Sequence, residues 1–112
     1  MNGRLVILGT GPGNPEQTTP QARDAIAVGE QFFGYGPYLD RLNLRPDQHR
    51  MPSDNREEIG RARAALEAAS KGASVCVVSG GDPGVFAMAA AICEAIETGP
   101  ETWRRLEITV LP

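Results

Sequence analysis

The sequence is poor in the residues from which metal and redox sites are built. It contains two cysteines and one histidine, and Cys76 and Cys93 lie in apolar surroundings without the CxxC or Cys/His spacing of a metal site. Both are read as buried free thiols of a cytoplasmic protein, because a free cysteine behaves as a small hydrophobe. His49, between Gln48 and Arg50, has no partner for a metal and is expected at the surface. An excess of positive charge is also missing. The formal charge is −3 and the isoelectric point about 5.1, which leaves no general attraction to nucleic acid or to an anionic membrane. No apolar run approaches the ~20 residues of a membrane span. The first such run, Leu5 to Leu8, is also too short for a signal-peptide core. There is no internal repeat and no low-complexity tract.

What is present is one domain's worth of chain. At 112 residues and 41% hydrophobic content, a single core is expected. Leu5 to Leu8 is a continuous apolar run closed by Gly9-Thr10-Gly11-Pro12-Gly13, the pattern of a strand buried on both faces. Thr19 before Pro20 marks an N-cap and first-turn proline, opening a helix with Ala22, Ala25 and Ile26 inward and a stop at Gly29. Gln31-Phe32-Phe33 is weak as a strand, and Gly34 to Leu39 holds enough glycine and proline to be read as an exposed aromatic loop. Asn43 to Pro52 is read as irregular connection.

Asp54 with Glu57 resembles a capping arrangement, opening a helix whose inner face is Ile59, Ala62, Leu66 and Ala69 and which stops at Lys71-Gly72. Arg56, Arg61 and Arg63 are placed on its exposed face, with bidentate contact to the acidic groups of a ligand as the alternative reading. Ala73 to Val78 is a second buried strand, Ser79 to Gly84 a second glycine loop, and Val85, Ala89, Ile92 and Ile96 mark a further amphipathic helix. Leu106 to Leu111 is a last strand, with Trp103 anchoring it or serving a dimer contact. Alternating strands and helices select an α/β fold, a mostly parallel sheet with helices on both faces and its ligand at the carboxyl ends of the strands.

The two glycine loops carry the chemistry. The first, Gly9 to Asn14, lacks the third glycine of the dinucleotide fingerprint, since Asn14 stands there, and Pro12 removes an N–H from any phosphate cradle. Neither loop ends in the GK[ST] of a phosphate-binding P-loop. The second, Ser79-Gly80-Gly81-Asp82-Pro83-Gly84-Val85-Phe86, lets a ligand approach the main chain. Asp82 either caps the following helix or accepts a hydrogen bond from the ligand. The pair suggests an uncharged or zwitterionic ligand held by backbone groups.

"GTGPGNP" near the start and "SGGDPGVF" about seventy residues later are similar to the paired motifs of the tetrapyrrole methylase family, and the resemblance runs from Arg4 to Pro112. It implies a two-domain S-adenosylmethionine-dependent methyltransferase with the cofactor in the cleft between domains and the tetrapyrrole in an adjacent trough. The chain stops directly after an apolar strand and is expected to be the N-terminal α/β domain, 1–112, of the tetrapyrrole methylase fold. The blocks "GYGPYLDRL" and "SDNREEIGRARAAL" resemble the member of cobalamin synthesis that methylates precorrin-3B at carbon 17 and contracts its ring.

By that resemblance Pro12, Gly80, Gly81, Asp82, Val85 and Phe86 bind the cofactor, and Gly9, Gly11, Gly13 and Asn14 line the substrate trough. Many relatives carry aspartate in place of Asn14, and an amide cannot act as a base. No catalytic base is assigned. Tyr35, Tyr38 and Asp40 are candidates to donate or orient protons during ring contraction, beside the plainer reading of the tyrosines as loop cover. The implied protein is a cytoplasmic homodimer acting on a tetrapyrrole, with no nucleic-acid or membrane partner. The alternatives are another precorrin or tetrapyrrole methylase, a Rossmann-type nucleotide-binding domain, and a non-catalytic domain that pairs through an exposed strand edge.

Overall fold

The structure, a computed structural model, describes residues 3–9, 19–80 and 82–111; the side chains of Asp82 and Pro83 lie outside the description. Five strands form one sheet: β1 (Arg4–Gly9), β2 (Gln31–Tyr35), β3 (His49–Ser53), β4 (Ser74–Ser79) and β5 (Glu107–Leu111). Their order is β3-β2-β4-β1-β5, and every neighbouring pair is parallel. The helices are α1 (Pro20–Val28), the short α2 (Gly36–Asp40), α3 (Glu58–Ser70) and α4 (Asp82–Thr98), with a 3-10 turn at Glu101–Arg105 before β5.

Side-chain parity divides the core. Leu5, Ile7, Phe33, Val75 and Val77 pack with Ala62, Leu66 and Ala69 of α3 and Val85, Met88 and Ile92 of α4. Val6, Leu8, Phe32, Cys76 and Val78 point to the other face, against Leu39 of α2 and Ala25 and Ile26 of α1. Alternate residues of one strand thus bury on opposite faces, so β1 and β4 must be apolar throughout. Helices on both faces are what the sequence pattern predicted.

Local chemistry sets the helix ends. The Ala22 N–H donates to Thr19 Oγ1 at 3.2 Å, with Pro20 in the first turn. At the end of α3 the Ala73 N–H reaches the Ala68 carbonyl and the Gly72 N–H the Ala69 carbonyl, while Gly72 adopts φ 102°. This is the left-handed stop that glycine takes without a Cβ penalty. Trp103 is buried and its ring lies where a Cβ on Gly99 would be. It therefore anchors the entry into β5. Its Nε1 has no hydrogen-bond partner among the described residues.

Several expectations are corrected. The weak segment at Gln31 extends to Tyr35 as a full strand, since β2 pairs with β4 on one side and β3 on the other. Gly36 to Asp40 is a helical turn rather than loop, with Pro37 tolerated in its first turn. Gly34 lets Leu39 of that turn pack closely, since a Cβ there would lie 3.2 Å from Leu39 Cδ2. β3 falls inside the supposed irregular connection. It is an edge strand with an exposed run of side chains, so it lacks a hydrophobic signature and is held by backbone pairing.

The buried Gln48 secures the approach to β3, its Nε2 donating to the carbonyls of Ile26 and Gly29 at 2.7 and 2.9 Å. Asp54 does not cap α3 with Glu57; the Glu57 N–H closes a turn on the Asp54 carbonyl, and the helix starts at Glu58. Ile59 precedes the inward face and is exposed. Arg61 is buried, not solvated. Cys93 is exposed, because the helical turn of about 100° per residue that puts Ala91, Ile92 and Ala95 inward carries position 93 out.

These environments separate the two thiols. Burial pushes Cys76 up from 9.0 to about 12, so it is neutral and shielded while Cys93 faces solvent. Titration with a thiol reagent at pH 8 should modify Cys93 rapidly and Cys76 only on unfolding, as read by peptide mass mapping. Because the folded-state value is raised, the Cys76 contribution to stability is complete below about pH 9 and declines as the pH rises toward 12. Two glycines offer a second check. A Cβ at Gly60 in α3 meets nothing within 4 Å, whereas one at Gly99 would overlap Trp103. Gly60→Ala should stabilise by roughly 0.5–1 kcal/mol in urea unfolding, and Gly99→Ala should destabilise by about 1–3 kcal/mol.

Candidate functional site

The order of strands determines where a ligand can enter. From β1 the chain passes α1 to reach β2 beyond β4; from β4 it passes α4 to reach β5 beyond β1. The connections leave neighbouring strands in opposite directions, which opens a crevice at their carboxyl ends. The register then brings the two strand ends together, since Gly9 at the end of β1 is paired with Ser79 at the end of β4. Strand ends seventy residues apart therefore lie side by side.

Next to this edge lies a cleft of about 200 Å³, bounded by Val78, Ser79 and Gly80 at the end of β4 and by Gly84 and Met88 of α4. Asn55, Glu58 and Arg61 close it from the start of α3, and Tyr38 closes it from α2. The Tyr38 ring occupies the space over Gly80: a Cβ there would lie 2.6 Å from the ring carbon that bears the hydroxyl. Tyr38 also meets Tyr35 edge-on at 5.4 Å between centroids, and the Arg41 guanidinium sits 5.9 Å from its centroid. These contacts orient a ring with one apolar face and a polar tip at the mouth of the cleft.

Arg61 forms the inner wall. Its Nε donates to Ser53 Oγ at 2.8 Å, Nη2 to the Asp54 carbonyl at 2.7 Å and Nη1 to the Met88 sulfur at 3.5 Å. It thereby ties the end of β3 to α3 and α4. No carboxylate among the described residues lies within ion-pair distance of it. Burial lowers its pKa, with Glu58 and then Glu57 opposing the shift through their charge. A guanidinium remains charged under such conditions, so the cleft has a cationic wall and, at Glu58, an anionic lip.

The expected site residues meet different fates. Gly80 is exposed at the cleft and Phe86 is exposed on α4. Val85 is fully buried in the core on the inner side of α4 and is not among the residues that bound the cleft. Asp82 is the first residue of α4, and the choice between cap and ligand contact falls on a side chain outside the description. Gly11, Pro12, Gly13, Asn14 and Gly81 likewise lie outside the described residues. Tyr35 and Tyr38 are half-buried, Tyr38 alone of the two lining the cleft, and Asp40 is exposed at the end of α2, away from the cleft lining. Asn55, Glu58, Ser79 and Met88 line it without having been expected, and Arg61 lines it although the sequence favoured a solvated face over contact with an acidic ligand. For Arg61 a signal existed in its position one residue before the inward-facing Ala62, at the edge of the buried stripe.

Among the described residues no helix is long and apolar enough to cross a membrane, and no group of three His, Cys, Asp or Glu side chains could hold a metal ion.

Comparison with known proteins agrees with the architecture. The model of the tetrapyrrole (corrin/porphyrin) methylases matches residues 4–112. A precorrin-3B C(17)-methyltransferase of Sinorhizobium sp is 59% identical over 112 residues, which is all of this chain and 44% of that protein. A cobalt-factor III methyltransferase of Priestia megaterium is 36% identical over 114 residues, covering all of this chain and 21% of its own length. The crystal structure of the methyltransferase CobJ superposes with a TM-score of 0.90 at 45% identity, over 98% of this chain and 46% of that one. The chain thus spans a little under half the length of the Sinorhizobium protein and of CobJ. With residues 4–112 matched by the family model and the ends of β1 and β4 paired at Gly9 and Ser79, the chain belongs to the tetrapyrrole (corrin/porphyrin) methylase family.

Proposed function

We propose that this chain is the N-terminal domain of an S-adenosylmethionine-dependent methyltransferase of cobalamin synthesis, which methylates precorrin-3B at carbon 17 with ring contraction. The observation that carries the reading is the cleft at the carboxyl end of β4, where Gly80, the tyrosine above it and the start of α4 meet. The name of the 59% identical Sinorhizobium protein supports the position of methylation. The partial coverage of its relatives supports a second domain that completes the cleft. On the same reading the protein works in the cytoplasm as a homodimer.

The lining suits the proposed cofactor in kind. An adenosyl sulfonium with an amino-acid end needs apolar and aromatic surface for the nucleoside, main-chain groups for its polar edges and opposite charges for the zwitterion. Tyr38 and Met88 provide the first, the backbone of Ser79 and Gly80 the second, and Arg61 with Glu58 the third. When bound, S-adenosylmethionine supplies an electrophilic methyl group on a good leaving group. The protein's own work is then to align the reactants and to exclude water. Tyr38 packs close over Gly80 at the end of β4, and the buried α3–α4 packing supports the wall beneath it. The phenol of Tyr38 stands where it can donate to or accept from a ligand in the cleft; no residue of the lining is assigned as a base.

Calorimetric titration of S-adenosylhomocysteine into the chain alone and into a protein of its relatives' full length, with NAD as the control, tests the reading. Binding of S-adenosylhomocysteine but not NAD, tighter in the longer protein, is expected; binding of NAD alone would return the domain to the Rossmann-type alternative. Gly80→Ala should weaken that binding by roughly tenfold or more, about 1.4 kcal/mol, because the added methyl displaces the Tyr38 ring. Combining it with Tyr38→Ala should recover part of the loss, which a simple folding defect at Gly80 would not allow.

A further inference from the structure

Arg61 is more than the bracing of α3 requires. Its acceptors are a hydroxyl, a backbone carbonyl and a thioether, all neutral. A neutral donor could satisfy them without burying a charge. A guanidinium has five N–H donors, and only three are engaged by these partners among the described residues. Removing a cation from water is costly unless an anion meets it. The residue is 6% exposed and lines the cleft, so what remains of its fork is available only to a group inside that cleft.

On the reading proposed above, we infer that Arg61 receives a carboxylate of the ligand that enters the cleft at the end of β4, with Glu58 at the lip deciding which carboxylate it is. The planar fork of arginine suits a carboxylate, and a charge-assisted pair gains strength where water is excluded. A volume of about 200 Å³ takes a carboxylate-bearing arm or an amino-acid end, not a macrocycle. Two sources present this chemistry: the amino-acid end of the adenosyl cofactor and an acidic side arm of the tetrapyrrole. Glu58 separates them. It attracts the ammonium that accompanies the first carboxylate, and it repels the second, which brings no cation.

The test uses three probes with a protein of the relatives' full length: S-adenosylhomocysteine, 5′-methylthioadenosine, which lacks the amino-acid end, and uroporphyrin, a stable polycarboxylate macrocycle. Binding is measured for the wild type, Arg61→Met, Arg61→Lys and Glu58→Gln, with thermal melts alongside. If the cofactor is the source, Arg61→Met weakens S-adenosylhomocysteine at least tenfold and leaves methylthioadenosine within twofold, and Glu58→Gln also weakens S-adenosylhomocysteine. If the macrocycle is the source, Arg61→Met weakens uroporphyrin at least tenfold with both adenosines unchanged, and Glu58→Gln tightens it. Should Arg61→Met fail to fold, Arg61→Lys is judged by the same pattern at threefold, because a point charge replaces the fork. Equal weakening of all three probes, or no weakening of any, overturns the inference and leaves Arg61 as a brace. A wild type that binds S-adenosylhomocysteine keeps the methyltransferase reading intact in that event; a wild type that binds none of the probes removes both.

Discussion

Parallel pairing of β4 with β1 on one side and β2 on the other is the constraint from which the remaining structure follows. A strand so placed is covered on both faces, by α3 and α4 on one side and by α1 and α2 on the other. Its side chains must be apolar or small, as Val75 to Val78 are. Parallel neighbours demand crossover connections, and these supply the covering helices. The burial that stabilises the sheet and the route the chain takes around it are thus one arrangement.

That arrangement also determines where chemistry can occur. The connections from β1 and β4 leave in opposite directions, and the register sets Gly9 beside Ser79 at the ends of the two strands. A site made from strand ends inherits the rigidity of the sheet, which suits any chemistry that depends on positioning. Around it stand side chains of the surrounding helices, foremost Tyr38, whose ring lies over Gly80 with contacts from Tyr35 and Arg41. The cleft thus joins a wall at the end of β4 to an aromatic cover from α2.

The elements legible in advance were those whose burial leaves a pattern. β1, β4, α1, α3 and α4 have apolar runs, apolar spacing or caps that local physics explains, and Thr19 and Gly72 act as their residue types suggest. β3 was illegible because its side chains are largely exposed and its stability resides in main-chain bonds to β2. α2 was hidden by Gly36 and Pro37, which mark loops in isolation but here open a turn that seats Leu39 in the core. Cys93 shows that an apolar neighbourhood in sequence does not fix the direction of a helical side chain.

The amino-acid sequence by itself determined the class of fold, the buried strands β1 and β4 and the family, because these depend on periodicity, caps and motifs that act over a few residues. Tertiary structure alone decided which residues share the cleft. Arg61 looks like one of several arginines on a solvated helix until α4 packs across α3, brings Met88 against its guanidinium and closes Ser53 and Asp54 around it. Whether a charged side chain is solvated or buried depends on what lies across from it, and that neighbour comes from another part of the chain. The same reason places Val85 in the core and Tyr38 over Gly80: a motif specifies where the backbone turns, and packing against distant elements specifies where each side chain points.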